Sequence, residues 1–150
     1  MNFSDYYKTY EWRVEVNDGI GNWINETYKF TTKKDLEPPT VSITQPLLGF
    51  IYIFFIYQWR LQILPATSTL IIGKIDIKVD ATDNDGIKWV KFYINNTLRS
   101  TDFEPPYMWS WNELTIYDPY IIKVVASDYS GNTKSDEIQV WKFQLFVLVD

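Results

Sequence analysis

Alternating apolar and polar residues recur along the chain, and the clearest alternation lies in Ile75–Asn96. In its first part, polar side chains separate four apolar ones: Ile75, Ile77, Val79 and Ala81. Successive side chains point to opposite faces of a strand, so this pattern predicts a β-strand with one buried and one solvated face. In the second part the apolar positions are Val90, Phe92 and Ile94. The segment therefore predicts two strands, around which the rest of the chain is organised.

The residues between these strands predict how the chain reverses. Asn84-Asp85-Gly86 favours a tight acidic turn, because Asn and Gly tolerate positive φ angles. Ile87 is out of phase with the second strand, so we expect a bulge near Lys88–Trp89.

The N-terminal part carries two further alternating runs, which predict a β-hairpin over Tyr10–Thr32. Its apolar face is predicted to hold Tyr10, Trp12, Val14, Val16, Tyr28 and Phe30. A charged stretch, Lys33–Thr40, follows and contains Pro-Pro, which cannot join a sheet and stiffens a connection. We therefore divide the chain into a hairpin (1–33), a linker (34–40) and a second domain (41–150).

The second domain shows many short strands separated by turn residues, and no helix with convincing caps. This pattern predicts an all-β fold, a β-sandwich with an N-terminal hairpin. Besides the central pair, the predicted strands are Val41–Gln45, Phe50–Tyr57, Arg60–Leu64, Thr69–Ile72, Leu98–Thr101, Tyr107–Trp111, Tyr120–Ala126 and a last strand through Ile138 and Val140 that can extend over Phe143–Val149. The phase of each run predicts that Ile77, Val79, Val90, Phe92, Ile122, Val124 and Val140 are buried.

Composition excludes several classes of function. The formal net charge is -5, whereas a nucleic-acid-binding domain needs a basic face, so no nucleic-acid partner is expected. The chain has no Cys and no His, which excludes disulfides, thiolate zinc sites and His-dependent catalytic triads. We expect no catalysis and no resident cofactor apart from a candidate calcium ion. The apolar stretch Leu47–Tyr57 is about half of the ~20 residues that span a bilayer, so we expect no membrane span.

Four segments carry a resemblance to a known family: PPTVSITQP, IDIKVDATDNDGIKWVKFYINN, EPPYMWSW and YIIKVVASDYSGNT. Val41–Phe143 resembles the bacterial immunoglobulin-like domains that recur in tandem in prokaryotic surface and secreted proteins. The apolar insertion Leu47–Leu64 departs from the commonest pattern and looks like a variant seen in archaeal surface proteins. The N-terminal segment TYEWRVEVNDGIGNWINETYKFTT resembles the last two strands of a fibronectin type III-like domain. The resemblance implies an immunoglobulin-like β-sandwich located outside the cell or at its surface.

One cluster of carboxylates is a candidate metal site. In an immunoglobulin-like strand order, the turns at Thr82–Gly86 and Asp128–Asn132 emerge at the same end of the sandwich. Oxygen ligands from both turns can then meet around a hard cation such as Ca²⁺. The candidate ligands are Asp80, Asp83, Asp85 and Asp128. The alternative is that these residues only form turns through hydrogen bonds to their own backbone.

Aromatic residues and glycosylation motifs offer two weaker signals. Trp23, Trp59, Trp89, Trp109, Trp111 and Trp141 either form the core and its cross-strand pairs or provide a surface that stacks on sugars. Trp89 is the least in phase and is the best exposed candidate. The N-glycosylation pattern occurs at Asn2, Asn25 and Asn95, and it is meaningful only if the protein is exported.

The sequence supports three functional hypotheses. The first is a non-catalytic structural or adhesion module of a larger extracellular or cell-surface protein. The second is a self-assembling surface or filament subunit, because the Tyr10–Thr32 hairpin has an apolar face and two strand edges that can pair with other chains or copies. The third is a carbohydrate-binding accessory module of a surface enzyme, with glycans as partners.

Overall fold

The computed structural model describes residues 8–53, 59–62 and 68–144. Predicted strand residues 54–57, 63–64 and 145–149, and the glycosylation motif at Asn2, lie outside the described residues. The chain divides into two compact units, Met1–Leu36 and Glu37–Asp150. The division falls within the Pro-containing stretch Lys33–Thr40.

The first unit contains an antiparallel hairpin of β1 (Thr9–Asn17) and β2 (Trp23–Thr31). Its loop is held by Asp18, whose Oδ1 accepts hydrogen bonds from the amides of Ile20 and Asn22 at 2.9 and 3.1 Å. These hydrogen bonds lower the pKa of the Asp18 carboxyl, and the bond from the Ile20 amide has the largest effect. The register places Tyr10 opposite Phe30 and Trp12 opposite Tyr28, as the phase of the two runs predicts.

The second unit is a two-layer β-sandwich, which confirms the predicted fold class. In the described residues its strands are β3 (Thr40–Gln45), β4 (Phe50–Ile53), β5 (Trp59–Gln62), β6 (Leu70–Ile72), β7 (Ile75–Thr82), β8 (Ile87–Ile94), β9 (Thr97–Asp102), β10 (Tyr107–Trp111), β11 (Thr115–Asp128) and β12 (Thr133–Gln144). One layer has the order β10-β7-β3, and the other has β5-β4-β6-β12-β11-β8-β9.

The core lies between the two layers. All seven predicted core residues are buried, with relative exposures of 0–4%. Burying each side chain of this size stabilises the fold by about 1.5–3 kcal/mol. The largest buried side chains include Trp111 and Phe92. The period-two phase therefore identified the inward face of these strands correctly.

The central pair of strands differs from a hairpin. β7 and β8 lie in different layers, so the acidic turn between them carries the chain from one sheet to the other. The predicted bulge is confirmed, because Trp89 pairs with Ser127 whereas Ile87 pairs with Asp128, which leaves Lys88 as the extra residue.

The apolar insertion extends the larger sheet. β4 and β5 pair as an antiparallel hairpin, and β4 also pairs in parallel with β6. β6 in turn runs parallel to the last strand, β12. The Trp141 amide donates to the Thr69 carbonyl at 2.8 Å, and the Gly73 amide donates to the Phe143 carbonyl at 2.9 Å. The last strand of the unit is thus fastened directly to a strand near its beginning.

Candidate functional site

The two predicted turns meet at one end of the sandwich. A carboxylate oxygen of Asp83 and one of Asp128 lie within 4.8 Å of each other. The Ser130 hydroxyl donates to Oδ2 of Asp85 at 2.7 Å. A Cβ atom added at Gly86, where φ is 87°, would lie 3.6 Å from the Tyr129 ring. Side chains of the β7–β8 and β11–β12 loops therefore form one continuous surface.

Asp128 organises the β11–β12 loop. It is fully buried, and its Oδ1 and Oδ2 accept hydrogen bonds from the amide and side-chain nitrogens of Asn132 at 2.8 and 2.7 Å. The Asn132 side chain also donates to the Glu37 carbonyl at 3.2 Å. A buried carboxylate must be paired or hydrogen-bonded to be tolerated, and here the donors come from its own loop. The arrangement fixes the start of the unit against the loop.

The four predicted calcium ligands do not all converge. Asp83 and Asp128 are close enough to share an ion, because two oxygens at ~2.3–2.6 Å from Ca²⁺ can be up to about 5 Å apart. Within the described part of the sandwich, neither Asp80 nor Asp85 joins this group. Asp80 is exposed on β7, opposite Ser42 of β3. Ca²⁺ takes six to eight oxygen ligands, so calcium binding at Asp83 and Asp128 stays a prediction.

The described tryptophan side chains of the sandwich serve mainly as framework. Trp111 is fully buried and meets the Tyr120 ring edge-on at 5.3 Å, while Trp109 is half-buried against Phe92. The prediction that Trp89 is the best exposed candidate is wrong. The Trp89 side chain is half-buried. Lys91, two residues further along the strand, reaches back over it and places its ammonium 4.3 Å from the ring centroid.

Among the tryptophans whose side chains the structure describes, the exposed ones lie on the hairpin instead. Trp23 is 63% exposed and Trp12 is 49% exposed. Trp12 stacks on Tyr28 with ring centroids 5.3 Å apart, and Tyr10 stacks on Phe30 at 5.1 Å. The opposite face of the hairpin carries the Lys29–Glu11 and Arg13–Glu15 ion pairs. The hairpin is thus aromatic on one face and charged on the other.

A buried lysine was missed at the sequence level. Lys142 is fully buried, and its Nζ donates to the Glu113 carbonyl at 2.8 Å, to Gln144 Oε1 at 2.8 Å and to Thr115 Oγ1 at 3.3 Å. The ammonium also lies 4.7 Å from the Trp111 ring centroid. Burial lowers the pKa of Lys142 from its usual 10.5 to about 8. The sequence does contain one signal for this burial: Lys142 lies two residues after Val140, which places both side chains on the same face of β12.

Two glycosylation motifs lie on described strands or turns. Asn25 is exposed on β2. Asn95 is exposed in the β8–β9 turn, with φ of 47°, and its Oδ1 accepts a hydrogen bond from the Ile121 amide at 2.9 Å. Glycosylation at Asn25 and Asn95 stays a prediction.

The two packed layers, with the chain crossing between them at β7–β8 and the last two strands forming a hairpin, define an immunoglobulin-like β-sandwich. The chain belongs to the family described as "Bacterial Ig domain", which matches residues 63–140, more than half of its length. The match begins after β5, so the strands β3, β4 and β5 precede the part that the family describes.

A solved structure supports the same fold. The fibronectin(III)-like modules of Clostridium thermocellum CbhA are similar to this chain with a TM-score of 0.57 and 19% sequence identity. The alignment covers 96% of this chain and 67% of that chain. At this identity the likeness concerns the fold. None of the curated proteins matches the chain.

These domain types are non-catalytic, and they occur in extracellular and surface proteins. Among the described residues, no helix has the length and apolar character needed to cross a membrane.

Proposed function

We propose that this chain is a non-catalytic structural module, a spacer that carries tension, of a larger extracellular or cell-surface protein. The observation that supports it is the path of the chain through the sandwich. The chain enters at the loop end, where Glu37 contacts Asn132 and Thr40 pairs with Thr82. It leaves at the opposite end, where Gln144 donates to the Asn112 carbonyl at 3.2 Å.

This path determines how the sandwich carries tension. A force that separates the two ends pulls β3 and β12 along their own axes, in opposite directions. The hydrogen bonds of β3 to β7, and of β12 to β11 and β6, lie across this direction. They are therefore loaded together rather than one at a time, which raises the barrier to forced unfolding.

Force spectroscopy tests this proposal, because the chain has no Cys and cysteine handles can be placed at will. Handles at Glu37 and Gln144 load the sandwich from end to end. Handles at Glu37 and Asn84, which lie at the same end because Thr40 pairs with Thr82, peel β3 from β7 one hydrogen bond at a time and provide the matched control. We expect a several-fold higher unfolding force for the first pair. Equal unfolding forces for the two pairs would contradict the role as a tension-carrying spacer.

Location and ligand binding need separate measurements. Proteolysis of intact source cells should release fragments of this chain if it is displayed at the surface. Strong binding to a glycan array would instead favour the carbohydrate-binding alternative, for which Trp12, exposed on the aromatic face of the hairpin, is the candidate contact. The self-assembly alternative is favoured by one observation, the open edge of the hairpin.

A further inference from the structure

The open edge of the hairpin can be located from its hydrogen bonds. The Thr32 amide donates to the Lys8 carbonyl at 3.1 Å, and the Asp18 amide donates to the Asn22 carbonyl at 3.2 Å. Hydrogen-bonded pairs alternate along an antiparallel ladder, so the even-numbered residues of β1 and β2 face each other's backbone. The peptide groups that point away from β1 belong to Trp23, Asn25, Thr27, Lys29 and Thr31.

This edge of β2 is open within the described residues. β2 is hydrogen-bonded to β1 alone. An unpaired row of peptide groups is a template for another strand. An isolated two-stranded hairpin is marginal in water, whereas three or more strands with an apolar face can be stable. The hairpin therefore gains stability when a strand is added to β2.

We propose that the strand added to β2 is β2 of a second copy of this chain, antiparallel and related by a two-fold axis through Thr27. This arrangement joins the two hairpins into one four-stranded sheet with the order β1-β2-β2-β1. Full overlap of the strands places Thr27 opposite Thr27, Asn25 opposite Lys29, Glu26 opposite Tyr28, Ile24 opposite Phe30 and Trp23 opposite Thr31.

The side chains brought together in this register are compatible. Asn25 can accept a hydrogen bond from the Lys29 ammonium of the other copy, and Ile24 extends the apolar face beside Phe30. The Tyr28 hydroxyl already donates to the Glu26 carboxylate of its own strand at 2.6 Å. The same hydroxyl and carboxylate can form this hydrogen bond between the two copies. Cross-strand pairs of these kinds each stabilise a sheet by about 0.2–1 kcal/mol relative to Ala–Ala.

The other edge of the hairpin does not offer the same fit. A two-fold axis with full overlap of β1 passes through Arg13. It places Arg13 opposite Arg13, and Glu11 opposite Glu15 on both sides. Like charges directly opposite each other destabilise a sheet. Charge complementarity therefore selects β2 as the edge between copies.

Disulfide trapping tests the register directly. The Cα atoms of a hydrogen-bonded pair are ~5.5 Å apart, which lies within the range that a disulfide spans. Thr27→Cys should therefore form a covalent dimer under mild oxidation. Arg13→Cys, directly opposite on the same hairpin, is the matched control and should cross-link much more slowly. Equal cross-linking of the two variants would overturn the proposal.

Proline substitution tests the same edge without cysteine. Thr27→Pro removes an outward amide and leaves the hydrogen bonds to β1 intact, and Arg13→Pro does the same on the other edge. In sedimentation equilibrium we expect a concentration-dependent dimer that Thr27→Pro weakens at least about tenfold and Arg13→Pro leaves unchanged. Near-ultraviolet circular dichroism of the Trp12–Tyr28 stack reports whether each hairpin remains folded.

Two results would overturn this assembly. One is a wild-type chain that stays monomeric at all concentrations. The other is equal weakening of the dimer by the two proline variants. The spacer role of the sandwich does not depend on this assembly, because a monomeric sandwich can carry tension from Glu37 to Gln144. A monomeric chain would therefore contradict the dimer proposal and leave the spacer proposal standing.

Discussion

The hairpin and the sandwich are built from the same alternation of apolar and polar residues, but only the sandwich buries its apolar face. Val90 and Phe92 are fully buried between two sheets, whereas the side chains of Val16 and Phe30 are 59% and 39% exposed. The hairpin relies on stacked aromatic pairs and surface ion pairs. An alternation of period two therefore identifies which face of a strand is apolar, but that face is buried only where a second layer covers it.

The largest expected effect tests this contrast with a matched pair of phenylalanines. Phe92→Ala should destabilise the sandwich by about 3–5 kcal/mol, because it removes buried atoms and leaves a cavity. Phe30→Ala should change the unfolding of the sandwich by less than about 0.5 kcal/mol, as is usual for surface substitutions. Denaturant unfolding of both variants measures the difference. Similar losses in the two variants would break the comparison.

The second effect concerns the charge inside the sandwich. The pKa of Lys142 is about 8 in the folded state, whereas its usual value is 10.5. Between these two pH values the unfolded chain therefore binds more protons than the folded chain. The free energy of unfolding should therefore rise with pH from about 8 to 10.5, by up to about 3 kcal/mol. Below pH 8 the full cost of the buried ammonium is present.

Lys142→Met provides the control for this pH dependence. Burial, followed by the Asp102 carboxylate, raises the pKa of Tyr107, and tyrosine ionisation opposes the lysine effect near pH 10. The difference between wild type and Lys142→Met isolates the lysine. A difference that does not vary with pH would show that the ammonium is not desolvated in the fold.

The third effect is calcium binding at the loop end. If Asp83 and Asp128 hold Ca²⁺, an ion concentration ten times the Kd stabilises the sandwich by about 1.4 kcal/mol. The melting temperature should rise with calcium, fall with chelator and become insensitive to both in Asp83→Asn. Asp80→Asn, on the neighbouring strand, is the matched control. A melting temperature that calcium and chelator leave unchanged would end the hypothesis.

The smallest effect lies within the hairpin. The Trp12–Tyr28 stack should contribute about 0.5–1.5 kcal/mol beyond its buried area. A double-mutant cycle of Trp12→Ala and Tyr28→Ala, followed by hydrogen exchange of the hairpin amides, measures this coupling. Zero coupling would mean that the ring contact does not stabilise the hairpin.

Features that depend on local pattern were predictable from the sequence. The phase of β7, β8 and β11 identified the core, and the misfit of Ile87 identified the bulge at Lys88. The meeting of the β7–β8 and β11–β12 loops followed from strand order. These features need only neighbouring residues and a known order of strands.

Features that depend on long-range packing were not predictable. Lys142 was missed because the local pattern does not show that Glu113, Thr115 and Gln144 supply acceptors for an inward-facing ammonium. Trp89 was taken as exposed because the side chain that covers it, Lys91, cannot be placed from the pattern alone. The same limit applied to the turn after β7, since alternation cannot show that two strands belong to different layers.

The β3 strand shows how the sandwich avoids errors during its own assembly. The Ile43 amide, on this sheet-edge strand, donates to the Asp136 carboxylate of β12 at 2.8 Å. Where several such domains share one polypeptide, a short linker holds neighbours at an effective concentration of roughly millimolar, and open strand edges then invite exchange between them. Because a carboxylate of its own domain occupies the Ile43 amide, β3 offers a neighbouring domain an incomplete template, which favours each domain folding on itself.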